Sequence, residues 1–131
     1  MPYFIRARTY FRYAGEELAR AKEHFTEGRY QEAISLARAA VLSALKALYA
    51  INYPQAPNGP PAEEELLSAL DLWQDPELSV RIKEIAKSLE KLTLEPADRP
   101  QAERAIRLAS DVVSLTKKAL GPLLPPLMSK F

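Results

Sequence analysis

The sequence predicts an all-α fold, a single up-and-down helical bundle of four long helices plus a short helix, and three observations predict it. Apolar residues recur at alternating intervals of three and four over long stretches, a period that suits one face of a helix and no strand. Eleven prolines and only four glycines gather at a few points, so the punctuation cuts the chain into long segments. There is no internal repeat and no run with the alternation of a half-buried strand.

The first helix is expected from about Pro2 to Glu27, with Phe4, Ala7, Phe11, Ala14, Leu18, Ala21 and Phe25 on one face. Gly28 ends it at a position where a positive φ is commonly needed, and a new helical pattern starts immediately. So short a turn makes an antiparallel pair. The second helix, about Arg29 to Ile51, places Tyr30, Ile34, Ala37, Val41, Ala44 or Leu45, and Leu48 on one face. Between Arg38 and Lys46 it has no charge, which marks it as the central helix. Its alanines at Ala33, Ala37, Ala40, Ala44 and Ala47 are narrow enough for close approach of neighbours.

The stretch NYPQAPNGPP, with four prolines and an Asn-Gly pair, cannot continue a helix. Pro61 suits a first helical position, and Glu63, Glu64 and Glu65 complement the positive end of the short helix that follows. That helix ends near Trp73, read as a core anchor. Asp75, Pro76 and Glu77 read as N-cap, N1 and N2 of the next, whose Leu78, Ile82, Ile85, Leu89 and Leu92 form a stripe. A loop with Pro96 and Pro100 precedes the last long helix, about Gln101 to Leu120. Ala102, Ile106, Ala109, Val113, Thr116 and Leu120 align there, and Gly121-Pro122 stops it. Complementary charges at helical spacing include Glu16 with Arg20, Glu77 with Arg81, Glu103 with Arg107 and Arg107 with Asp111, each worth a few tenths of a kcal/mol. With two Asn, no Cys and prolines in the loops, they point to a heat-tolerant source.

At 131 residues the chain has the length of one domain, residues 1–131, and 47% hydrophobic residues supply a core that needs no covalent staple. Zero Cys and one His exclude disulfide frameworks, thiol nucleophiles, Cys/His zinc sites and catalysis that needs two histidines in one chain. Lys plus Arg number 18 against 17 Asp plus Glu, so bulk electrostatics do not favour non-specific nucleic-acid binding. No apolar run is expected to reach the length of a membrane span, and the first residues are too aromatic and arginine-rich for a signal segment. The expected compartment is the cytoplasm.

Charge is nonetheless uneven. Residues 1–15 hold Arg6, Arg8 and Arg12 with no acid, while residues 51–75 hold Glu63, Glu64, Glu65, Asp71 and Asp75 with no base. Solvated helix faces account for this, and so does electrostatic docking on a partner. Beside the apolar face of the first helix runs a polar and aromatic stripe, Arg6, Tyr10, Tyr13, Glu17, Arg20 and His24, spaced four, three, four, three, four. These residues either line the rim of the core or form a groove for a phosphate or a base, with Arg contacting the anion and Tyr offering a stacking plane. No phosphate-binding glycine loop is present. The three adjacent glutamates splay around their helix and make no metal site, so no cofactor or metal is called.

The stretch YFRYAGEELARAKEHFTEGRYQEAISLARAAVLSALKALYAI, residues 10–51, resembles the opening hairpin of the HEPN family, the higher-eukaryote and prokaryote nucleotide-binding domains. The likeness rests on Ala14, Leu18 and Ala21, on Gly28-Arg29-Tyr30 and Ala33, and on Lys46-Ala47-Leu48. Ala97-Asp98 and AERAIRLASDVVSL are similar to the family's closing segment. The resemblance implies a helical bundle that usually dimerises and is often encoded beside a small nucleotidyltransferase as a toxin and antitoxin pair. It also implies, for many members, a metal-independent ribonuclease using an Arg, four to six residues and a His. This chain departs from that motif, because three residues separate Arg20 from His24 and no His follows Arg81, Arg99, Arg104 or Arg107. No catalytic residue is therefore assigned.

The expected function is a non-catalytic binding subunit acting with a nucleotidyltransferase partner or a nucleotide. RNA is a conceivable ligand that the net charge does not favour. Two alternatives stay open, a ribonuclease with a non-standard Arg20/His24 site, and an adaptor that takes a peptide or partner helix. The second rests on the likeness of Ala21, Gly28, Tyr30 and Ala33-Ile34 to one tetratricopeptide unit.

After the last helix the tail GPLLPPLMSKF carries Leu123, Leu124, Leu127, Met128 and Phe131, which either fold back on the bundle or contact another chain. Together with the family likeness they lead to the expectation of a homodimer. Light scattering of the full chain should give twice 14.7 kDa. If the tail carries the contact, deleting residues 122–131 should return the mass to the monomer, and an unchanged dimer would place the contact on the bundle.

Overall fold

In the computed structural model, which describes residues 2–52, 62–73 and 75–121, the chain forms five α-helices and no strand among those residues. They are α1 Pro2–Thr26, α2 Tyr30–Asn52, α3 Glu63–Ala69, α4 Pro76–Thr93 and α5 Arg99–Leu120, with a 3₁₀ turn Leu70–Trp73 continuing α3. The all-α class and the order of four long helices and one short one are as the periodicity predicts. Pro61, the side chain of Phe4 and the whole apolar tail lie outside the described residues.

Each boundary has a local cause. Gly28 adopts φ +80°, a backbone conformation costly for a residue with a Cβ, and its N–H donates to the Phe25 carbonyl at 3.1 Å. Arg29 N–H donates to the His24 carbonyl at 2.9 Å, closing the last turn of α1 before α2 begins. Asp75 caps α4 by accepting from Leu78 N–H at 3.2 Å, with Pro76 in the first turn as expected. At α5 the expected start moves upstream. Asp98 is the N-cap, accepting from Gln101 N–H at 3.0 Å, and Pro100 lies inside the first turn instead of in the loop. A proline there lacks only an N–H that would have had no intrahelical partner.

Helix α2 packs against α1, α3, α4, α5 and the 3₁₀ turn, which makes it the centre of the bundle. Ala33, Ala37, Ala40, Ala44 and Ala47 are all fully buried, and Ile34, Val41, Leu45 and Leu48 are buried between them. Both Ala44 and Leu45 face inward, because neighbours on several sides leave α2 almost no outer face. Each fully buried leucine contributes about 1.5–3 kcal/mol of transfer free energy. The expectation that no apolar run could span a membrane needs correction here. Tyr30–Ile51, 22 residues, is long and apolar enough by length and composition, yet 56% of its most apolar window is buried inside the bundle. Its apolarity is spent on the protein's own core.

The inward faces of α1 (Ala7, Phe11, Ala14, Leu18, Ala21) and α4 (Leu78, Ile82, Ile85, Leu89, Leu92) match the predicted stripes. Helix α5 is turned relative to expectation: Ala105 and Val112 are fully buried, while Ile106 and Val113 sit half-buried at the core's margin. The reason is steric. Small residues let α5 come close to the alanine-rich α2, and the bulkier Ile106 and Val113 pack to the side. Trp73 packs against the core from a half-buried position, and its indole N–H is buried with no partner among the described residues.

Ion pairs depart from the pattern read along single helices. Glu16 pairs with Arg12 at 3.7 Å, not with Arg20, and Asp111 pairs with Arg81 of α4 at 3.4 Å, not with Arg107. Glu103 does pair with Arg107, at 3.3 Å. Glu16 has an arginine four residues away on either side along α1 and takes the one that precedes it, whereas Asp111 is drawn to a partner on the adjacent helix that sequence spacing does not show. Two of the acids in the base-free region 51–75 are used in the same way. Glu63 of α3 meets Arg38 of α2 at 3.0 Å, and Asp71 of the 3₁₀ turn accepts from Lys83 Nζ at 2.9 Å and Ser79 Oγ at 2.8 Å.

The bonds from Lys83 and Ser79, and the Lys83 charge, hold the Asp71 carboxyl below its ordinary value of 3.8. A depressed carboxyl stabilises the folded chain fully above that value and loses its contribution as pH falls through it and below. Urea midpoints of the wild type and Asp71→Asn should therefore differ at pH 7 and converge toward pH 3. A gap of equal size at both pH values would show that the charge on Asp71 is not what braces the 3₁₀ turn to α4.

Candidate functional site

The predicted stripe Arg6, Tyr10, Tyr13, Glu17, Arg20 and His24 runs along the flank of α1 that meets α2. Five of its members divide into two groups, and Arg6 stands apart from both. Tyr10, Tyr13 and Glu17 form one cluster with two residues of α2, Ser43 and Lys46. Ser43 Oγ donates to Glu17 Oε1 at 2.5 Å, across the hairpin. Lys46 Nζ lies 5.8 Å from the centroid of the Tyr10 ring. Tyr13 meets Tyr10 edge-on, with centroids 6.4 Å apart and planes at 76°, and the Arg12 guanidinium stands 5.7 Å from the Tyr13 ring. Cation–ring contacts of this exposure are worth about 0.5–1 kcal/mol each.

Arg20 and His24 belong to the second group. Arg20 is exposed one turn beyond Glu17, and His24 lies one turn further, beside the Gly28 turn. At 1.5 Å of rise per residue, His24 is about 10 Å along the helix from Glu17. The His24 ring is half-buried, with Nδ1 buried and without a hydrogen-bond partner among the described residues. Its neighbour Phe25 is stacked instead under Arg99 of α5, 5.6 Å from the ring centroid, which ties the start of α5 to the end of α1. Arg6 is half-buried near the other end of α1.

Ser43 and Lys46 escaped the sequence reading for different reasons. Ser43 sits within the uncharged run that marks α2 as the central helix, and it is buried, at 8% exposure. A buried hydroxyl needs a partner, and here the partner is the Glu17 carboxylate. Lys46 marked only the end of that run. The available signal was their spacing, three residues apart on the helix that the short Gly28 turn folds against α1.

Chemically, the cluster is a polar seam in an otherwise apolar hairpin, with an outward edge of aromatic and cationic groups. Tyr13 is 43% exposed, and Arg12, over its ring, and Arg20, about two turns further along α1, face solvent. That edge can stack a planar group and contact an anion. Among the described residues no three His, Asp or Glu side chains converge as metal ligands.

Ser43→Ala leaves a part-buried carboxylate without its donor and should cost about 1–3 kcal/mol in urea unfolding. In a double-mutant cycle with Glu17→Gln the two changes should fall short of additivity by at least about 0.5 kcal/mol. Strict additivity would mean that the seam contributes nothing through this bond.

A family model described as the HEPN domain matches residues 7–120 of the chain, which takes in the hairpin, the seam and α5. No curated protein and no solved structure gives a significant match.

Proposed function

The chain belongs to the HEPN domain family, and from that premise we propose that it is a non-catalytic binding subunit, a homodimer that acts with a nucleotidyltransferase-type partner protein. A nucleotide is the second ligand this reading admits, and a toxin–antitoxin-like pairing is its context. The observation that carries the proposal is the division of the α1 stripe. Tyr10 and Glu17 are engaged with α2, while Tyr13, at the outer edge of their cluster, and Arg20 remain outward, with Arg12 beside the stripe over the Tyr13 ring, as a surface suited to contact.

Metal-free cleavage of RNA calls for one group to take the 2′-hydroxyl proton, another to protonate the leaving oxygen, and cationic donors for the phosphorane. The chain has one histidine, and its Nδ1 is buried without a partner among the described residues that would orient the ring for either task. Arg20 supplies charge but no proton transfer at neutral pH. The sequence also lacks an Arg followed by a His after four to six residues. These features support binding over catalysis.

Purified protein incubated with single-stranded RNA should leave it intact, and His24→Ala should behave identically. Cleavage that disappears in His24→Ala would overturn the reading and make the first helix an active site. For the binding half, a small nucleotidyltransferase reading frame is expected next to the gene of this chain, and co-expression of the two should yield a stoichiometric complex that Arg12→Glu with Arg20→Glu weakens at least tenfold. A complex indifferent to both charges would move the contact off α1.

A further inference from the structure

At the end of the bundle where α2 begins and α4 finishes, a cleft of about 270 Å³ opens between the first turns of α2 and the α4–α5 loop. None of the α1 stripe lines it. Ile34 and Leu92, both buried, form an apolar floor, with Gln31 and Ser35 on one rim and Thr93 and Glu95 on the other. Glu95 is the single charged residue of the lining. Its carboxylate is held at the lip by Gln101, whose Nε2 donates to Oε2 at 2.5 Å.

The surrounding groups reinforce a negative potential. The carbonyl end of α4 points to this side of the bundle, and the Thr93 hydroxyl already donates to the Glu90 carbonyl at 2.6 Å, which leaves its lone pairs for a donor. The positive end of α2 is offset by Glu32 in its own first turn. The Ala33 N–H is taken by the Arg29 carbonyl at 3.1 Å. The Arg29 guanidinium pairs with Glu27, and neither Arg29 nor Lys91 lines the cleft. A phosphate or carboxylate placed there would face the Glu95 carboxylate, and among the described residues no cation lines the cleft to receive it.

We propose that this cleft binds an aliphatic ammonium group, its alkyl stem lying on Ile34 and Leu92 and its charged head donating to Glu95 and Thr93. The site is separate from the α1 surface and does not rest on the family reading. Two sources carry this chemistry, the side chain of a lysine and a free polyamine.

The test is a titration of the ¹⁵N-labelled full chain with Nα-acetyl-lysine N-methylamide and, separately, with spermidine. Saturable amide shifts at Gln31, Ser35, Thr93 and Ala97 are expected at millimolar concentration, and whichever amine binds tighter identifies the source. The uncharged norleucine analogue should bind about two- to fivefold more weakly, as should either amine to Glu95→Gln, which keeps an acceptor for Gln101. The amide spectrum of that variant without ligand reports whether its fold is intact. Inorganic phosphate should shift none of the four amides. Absence of saturable shifts with both amines, undiminished binding by folded Glu95→Gln, or equal response to phosphate would overturn the proposal.

Discussion

The bundle depends on one constraint, that α2 must be covered on nearly all sides. A helix whose middle carries no charge and whose small residues recur every three or four positions cannot leave that circumference in water without a large penalty. Five fully buried alanines keep its girth small, so that α1, α5, α4 and the α3 segment all reach it. The close approach has a further effect on α5, where alanine and valine turn inward and the larger Ile106 and Val113 are displaced to the margin. Long-range order thus follows from volume as much as from hydrophobicity.

The same constraint explains the polar seam. Packing α1 along α2 buries the Ser43 hydroxyl, and a buried hydroxyl without an acceptor would offset part of the gain from the surrounding apolar contacts. Glu17 resolves this from the opposite helix, and a carboxylate so placed also fixes the register of the hairpin, because a shift of one turn would separate donor from acceptor. Lys46 then finds the Tyr10 ring one turn further on. The residues that look like a binding stripe along α1 are therefore partly an internal device. What remains outward is their outer edge.

The end of the bundle beside the Gly28 turn differs in character from the outer flank of α1. Near the Gly28 turn, the end of α1, the start of α2, the end of α4 and the start of α5 come together, tied by Arg99 over Phe25 and by Gln101 on Glu95. Membership of the HEPN domain family accounts for the scaffold but not for the chemistry of this end. The cleft there is apolar at its floor and acidic at its lip, whereas the outer flank of α1 is aromatic and basic. One small bundle can thus present surfaces of opposite charge to different ligands, although its net charge is close to zero.

The sequence by itself determined the helical class, the Gly28 turn, the Asp75 cap, the central place of the second helix and the inward faces of α1 and α4. Those features are local or periodic, and a chain obeys them whatever packs against it. The tertiary structure alone decided the rotation of α5, the choice of Arg81 as the charge partner of Asp111, the pairing of Ser43 with Glu17 and the cleft beside Glu95. Each of these requires two segments distant in the chain to meet. Their meeting depends on how closely side chains of particular volume let helices approach, a quantity that no single-helix pattern contains.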